Sequence, residues 1–296
     1  MNSYSGERSH VEDITFGGIW EDSWKDHFKS ELLLFEAKGG SAKVLYNGGG
    51  WQSRHQIMIN AVKESVRMRP VKSTKRFYLF TGDKFPATRL GTEWRLLTTV
   101  GSRNDTDIVI PDAYSFSWPE IGVSNFEIYN REMIQRSDEY TNSESVVRKA
   151  YWKGMLSQNT IRSQFCDYVK GLEKFDVTDS SVGTFREMKE SGEFAVLVDL
   201  PGQGYSARLK HLLLSKRPVV VYPREQWDWV TLRLEPNVHF PLSLSSIDHF
   251  VHMCNIFIEN QSASSYYANT SINATANLMR QETLYGAISD AIERCD

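Results

Sequence analysis

Phe194-Ala-Val-Leu-Val-Asp-Leu200, then Pro201-Gly-Gln-Gly-Tyr-Ser-Ala-Arg-Leu-Lys-His-Leu-Leu-Leu-Ser-Lys-Arg217, then Pro218-Val-Val-Val-Tyr222 runs from one apolar segment through a glycine-bearing turn to another. Its two ends are short apolar runs that read as buried strands. Residues 205–215 between them read as a helix with Leu209, Leu212 and Leu213 on its inner face. A strand, a glycine-bearing turn, a helix and a strand in so short a span make a compact βαβ unit, which requires parallel pairing. The expected class is therefore α/β.

Outward from there the alternation continues. Residues 43–46, 77–80, 94–100 and 107–110 read as strands, and residues 56–68 as a helix with Ile57, Ile59, Val62 and Val66 at apolar positions. Residues 131–147 are polar, with a loop expected at 137–145, and a domain boundary is placed there, dividing 1–148 from 149–296. Toward the end, 247–258 and 275–292 read as helices separated by a turn-like polar stretch at 260–271.

Length supports two domains, since 296 residues is twice the roughly 150 of a typical one. Lys and Arg number 34 against 37 Asp and Glu, a net charge of −3 with no long like-charge run, which argues against a nucleic-acid partner. No apolar run approaches the roughly 20 residues that span a bilayer. Residues 1–10 lack the basic start and apolar core of a signal peptide. Cys166, Cys254 and Cys295 are odd in number and far apart, so no disulfide framework or zinc site is expected. These features together predict a soluble, cytoplasmic protein.

The βαβ turn carries the most informative chemistry. A turn through Gly202 and Gly204 into a helix would aim unpaired N–H groups at an anion, and Arg208 would add a guanidinium able to grip a phosphate with two parallel bonds. A tight turn with a solvated Arg remains an open alternative. Residues 151–162 place Lys153 and Arg162 among small and hydroxylic side chains, suited to a phosphate or ribose or equally to a plain surface loop. Asp83 follows an apolar strand, where partial burial would raise its proton affinity toward that of a general base; a turn-forming Asp is the simpler reading. Tyr114, Phe116 and Trp118, with Asp112 beside them, form an aromatic loop of the kind that carbohydrates pack on, though core packing would also use them. Asp105-Thr-Asp107 has a metal-binding form but is weak as a signal. Neither a Gly-X-Ser-X-Gly elbow nor a Walker A sequence occurs.

In order, these segments resemble glycosyltransferase family 90, the capsule-associated-protein and protein O-glucosyltransferase group, over about residues 79–250. The sharpest part is residues 197–215, with the core Ser206-Ala-Arg208-Leu-Lys210-His-Leu, followed by a strand, an acidic and aromatic stretch at 225–229 and Pro236-Asn-Val-His-Phe-Pro-Leu242. Asp107-Ile-Val-Ile-Pro-Asp-Ala-Tyr-Ser-Phe116 and Trp152-Lys-Gly154 also match family segments, with Lys153 where Arg is usual and Ala113 where an aromatic is common. The resemblance implies a GT-B fold of two Rossmann-like domains facing a central cleft, a UDP-sugar donor with no cofactor or metal required, and inversion at the anomeric carbon. It implies Asp83 as the catalytic base. It implies donor contacts from Ser206, Arg208 and Arg162; Gly154, Gly202, Gly204 and Tyr205 are further expected donor contacts, and Phe85, Asp112, Tyr114 and Trp118 the expected acceptor contacts. The acceptor would be a glycan or protein hydroxyl. A non-catalytic carbohydrate- or nucleotide-binding protein on the same scaffold, or another Rossmann-type nucleotide enzyme, are the alternatives.

Overall fold

Leu32-Leu-Leu-Phe35 is an unbroken apolar run, and it is buried along its whole length because it forms the middle of a sheet. In the computed structural model, which describes residues 28–85, 95–104, 108–142, 145–182 and 186–295, the chain divides into two compact units. One is Met1–Phe126 with Arg280–Asp296, the other Glu127–Met279. Residues 1–10, Trp94 and the Asp105-Thr-Asp107 triplet lie outside the described residues.

The first unit holds β1 (Leu32–Gly39), β2 (Ser41–Asn47), α1 (Gln52–Met68), β3 (Val71–Phe80) and β4 (Arg95–Thr98), with sheet order β2-β1-β3-β4. Strand β1 is antiparallel to both β2 and β3, and only β3 and β4 are parallel. A residue with φ of +55°, Gly39, turns the β1–β2 hairpin, where a side chain would be strained. Helix α1 lays Met58, Val62 and Val66 on Leu33, Phe35, Phe77 and Leu79. It starts four residues before the expected Gln56, which brings Arg54 and His55 onto its buried side. The strand expected at 107–110 is reduced to one bridge between Val109 and Thr98.

In the second unit, α2 (Phe126–Asn142) leads to β5 (Val147–Gly154), α3 (Thr160–Val169), β6 (Phe175–Asp179), β7 (Phe194–Asp199), α4 (Leu209–Leu212), β8 (Val219–Val221) and α5 (Trp229–Leu232). Helices α6 (Ile247–Glu259) and α7 (Gln261–Leu278) follow. The sheet order is β6-β5-β7-β8 and every pairing is parallel. From β5 the chain first builds outward to β6, then crosses back to lay β7 on the other side of β5. That reversal creates a switch point between β5 and β7, the place where open parallel sheets bind ligands at the carboxyl ends of their strands.

Three expectations are corrected. Of the loop expected at 137–145, residues 137–142 form the end of α2: Ser137 is buried and its hydroxyl donates back to the Met133 carbonyl, so the polar sequence is accommodated within a helix. The polar stretch 260–271 is helical as well, because Asn260 caps α7 by accepting from the Ala263 N–H instead of making a turn. The single helix expected at 275–292 breaks at Met279 and Arg280; its second part, α8 (Gln281–Glu293), contributes Ile288, Ala291 and Ile292 to the core of the first unit. None of the helices among the described residues is long and apolar enough to cross a membrane.

Candidate active site

Strand β7 ends on Asp199, a carboxylate with no solvent exposure. A buried charge needs partners, and the neighbouring segments supply them. Ser206 donates its hydroxyl to Asp199 Oδ1 at 2.6 Å, Arg224 reaches Oδ2 at 2.5 Å, and Arg208 Nη2 stands 4.0 Å from Oδ1. Arg162, from the first turn of α3, joins the group and feels the charges of Arg208, Asp199 and Arg224. Burial first, and then the Arg208 charge, push the Arg162 guanidinium down to about 10. Burial likewise lowers the Arg208 guanidinium. Three guanidiniums thus surround one carboxylate, leaving an excess of positive charge at the carboxyl ends of β5 and β7. Nη2 of Arg208 and both Nε and Nη1 of Arg224 have no hydrogen-bond partner among the described residues.

The scaffold around these side chains explains the local sequence. Trp152 on β5 is almost wholly buried, and both Arg162 and Arg208 lie over its ring, at 5.6 and 5.9 Å from its centroid. Gly154, two residues on, has no room for a side chain, since a Cβ would meet the Trp152 ring at 2.8 Å. Arg208 donates to the Lys153 carbonyl, tying the turn after β7 to the end of β5. Arg162 donates to the Pro201 and Met155 carbonyls and Asn159 to the Gly202 carbonyl, each within 2.9 Å.

The sequence-derived picture of this turn changes in one respect. Helix α4 is a single turn instead of spanning 205–215, and the Gly202 N–H is used on the Tyr205 carbonyl at 3.2 Å. Gly202 is needed because a Cβ there would meet that same carbonyl at 2.9 Å. Anion-binding capacity therefore resides in the arginine side chains rather than in a helix terminus or the Gly202 amide. Gly204 and Tyr205 lie in the same turn, with Tyr205 buried. Asp199 and Arg224 escaped the sequence reading; a buried acid at a strand's carboxyl end, with a cation three residues past the next strand, is the pattern that signals them.

In the first unit, Asp83 lies just after β3 with 36 % of its side chain exposed. Arg54 holds it at 3.0 Å and also donates to the Thr81 carbonyl and the Tyr114 hydroxyl, both at 2.9 Å. Desolvation raises the Asp83 pKa above its ordinary value, the Arg54 charge opposes this, and the Glu31 and Asp112 charges add to the rise. Glu31 is itself lowered: burial would raise it, but hydrogen bonding to His55 and the charges of Arg54 and His55 prevail together. Asp112 is buried and accepts from Ser115 at 2.6 Å. Burial pushes the Tyr114 hydroxyl up to about 12, so it stays protonated, and its ring packs on Trp118 at 4.5 Å. Phe85, by contrast, is buried and packs its ring on Phe80. The structure thus gathers Asp83, Asp112 and Tyr114 near Arg54, with Trp118 packed on Tyr114, and adds Glu31.

A protein-family model described as glycosyl transferase family 90 matches residues 94–261, more than half of the chain. The chain belongs to glycosyl transferase family 90. Membership supports glycosyltransferase activity, with a sugar donor and an acceptor as substrates. The matched span of this family member includes the arginine group and the aromatic loop with Asp112, Tyr114 and Trp118, while Asp83 and Arg54 precede it. No curated protein matches the chain closely enough to count as a relative.

Proposed function

We propose that this chain is an inverting, metal-independent glycosyltransferase of GT-B type that moves a hexosyl or pentosyl group from a UDP-sugar to an acceptor hydroxyl. The observation that carries this reading is the Arg162, Arg208 and Arg224 group around Asp199, whose excess positive charge suits a diphosphate. An anion there would relieve the mutual repulsion of the guanidiniums and give the orphaned N–H groups of Arg208 and Arg224 acceptors. Gly154, Gly202, Gly204, Tyr205 and Ser206 would shape the pocket, Ser206 by fixing Asp199.

Asp83 acts as general base in this account. It takes the proton from the acceptor hydroxyl as that oxygen forms a bond to the anomeric carbon. The bond from that carbon to the UDP oxygen breaks in the same displacement, which inverts the configuration. Negative charge then gathers on the departing UDP, and the arginines stabilise it. Arg54 keeps the Asp83 carboxylate oriented, while burial beside Glu31 and Asp112 keeps it basic enough to accept a proton.

Titration calorimetry with UDP tests the donor half. Losing a charge-assisted contact costs about 1.5–3 kcal/mol, so Arg208→Ala is expected to weaken UDP binding about tenfold or more. Equal affinity in the wild type and the variant would overturn the assignment.

A further inference from the structure

Trp51 stands directly before α1 with 57 % of its surface exposed, unusual for the largest apolar side chain. Its place is fixed. The Gly50 N–H donates to the Ser30 carbonyl, the Gly49 N–H to Asn47 Oδ1, and the Trp51 carbonyl accepts from His55. The Arg54 guanidinium lies 5.0 Å from the Trp51 ring centroid and 5.3 Å from that of Tyr114. The same guanidinium is 3.0 Å from Asp83. Beyond Tyr114 the half-buried Trp118 is held by a reciprocal pair of backbone hydrogen bonds with Val123.

The exposed Trp51 ring and the buried Tyr114 ring, with Trp118 packed on the latter, therefore gather about a cation that holds the Asp83 carboxylate. A pyranose or furanose ring fits that chemistry. Its C–H face packs on an indole, its hydroxyls meet charged groups, and one hydroxyl can lie against a carboxylate. We infer that Trp51 is an acceptor-binding residue that selects a sugar ring, so that this chain extends a glycan rather than modifying a protein side chain directly. The inference rests on the transferase reading and names the substrate class of the Asp83 site.

The test uses the full chain and the methyl glycosides of glucose, galactose, mannose and xylose, with binding followed by saturation-transfer NMR. At least one glycoside is expected to bind the wild type. Trp51→Ala is expected to weaken it about tenfold, since the variant loses both stacking and apolar burial. Trp51→Tyr keeps a ring and is expected to stay within about threefold of the wild type. UDP affinity is expected to be the same in all three. Circular dichroism checks the fold, and Trp51→Gln replaces the alanine variant if that one fails to fold. Absence of binding by every glycoside, equal binding by Trp51→Ala, or binding of a Ser-containing peptide in place of the glycosides overturns the inference while leaving the transferase reading intact. Loss of UDP binding in the wild type instead counts against the transferase reading itself.

Discussion

Asp83 is pulled in two directions. Burial and the charges of Glu31 and Asp112 raise its proton affinity, while Arg54, at 3.0 Å, lowers it. The balance is upward. A general base works only when ionised, so activity falls as pH drops through its pKa, and the acid limb of kcat/KM is expected above the ordinary carboxylate value of about 4. Arg54→Met removes a cation that opposes this rise, so the limb is expected to move to still higher pH; a pH–rate series on both proteins checks the direction. Asp83 and Tyr114 could be singled out from sequence because each follows a strand or sits in an aromatic loop. Arg54 and Glu31 could not. The helix was expected to begin at Gln56, which left Arg54 off it, and no local pattern reports that Glu31 is buried with His55 3.7 Å away.

At the scale of elements, the apolar strands β7 and β8 were legible because buried parallel strands are nearly continuous hydrophobic runs. Strand β5 was not. Only Ala150 and Trp152 of Val147–Gly154 are buried, and the intervening Arg148, Lys149, Tyr151 and Lys153 disguise it as a polar segment. The end of α2 and the first part of α7 were hidden for a related reason, because their buried faces include Ser137 and Ser271, residues that sequence patterns assign to loops. The tight contact of Gly154 with Trp152 has a testable consequence. Gly154→Ala must displace the ring that Arg162 and Arg208 lie over, so it is expected to lose about 1–3 kcal/mol of stability in urea unfolding and to weaken UDP binding as well. A variant with unchanged UDP affinity would separate the tryptophan from the anion site.

For the whole molecule, α8 returns to the first of the two units. Ile288, fully buried, belongs to the same core as Leu33, Val62 and Phe77. Ile288→Ala is therefore expected to cost about 2–5 kcal/mol, read by urea denaturation. Composition supports two domains but carries no local signal of where they divide, and the polar residues 131–142 lie within α2. The parallel order β6-β5-β7-β8 was legible only as a single βαβ unit; the switch point between β5 and β7, which places the arginines together, depends on pairings far apart in sequence.

The proposed reaction is transfer from a UDP-sugar with Asp83 as base. The most direct measurement is UDP release from UDP-glucose, UDP-galactose and UDP-xylose in the presence of the methyl glycosides, in the wild type and in Asp83→Asn. At least one donor is expected to release UDP with a glycosylated product, and Asp83→Asn is expected to be slower by a factor on the order of 100 or more, with UDP affinity retained. Equal turnover by Asp83→Asn, or a wild-type protein that neither binds UDP nor releases it from any donor, would contradict the account.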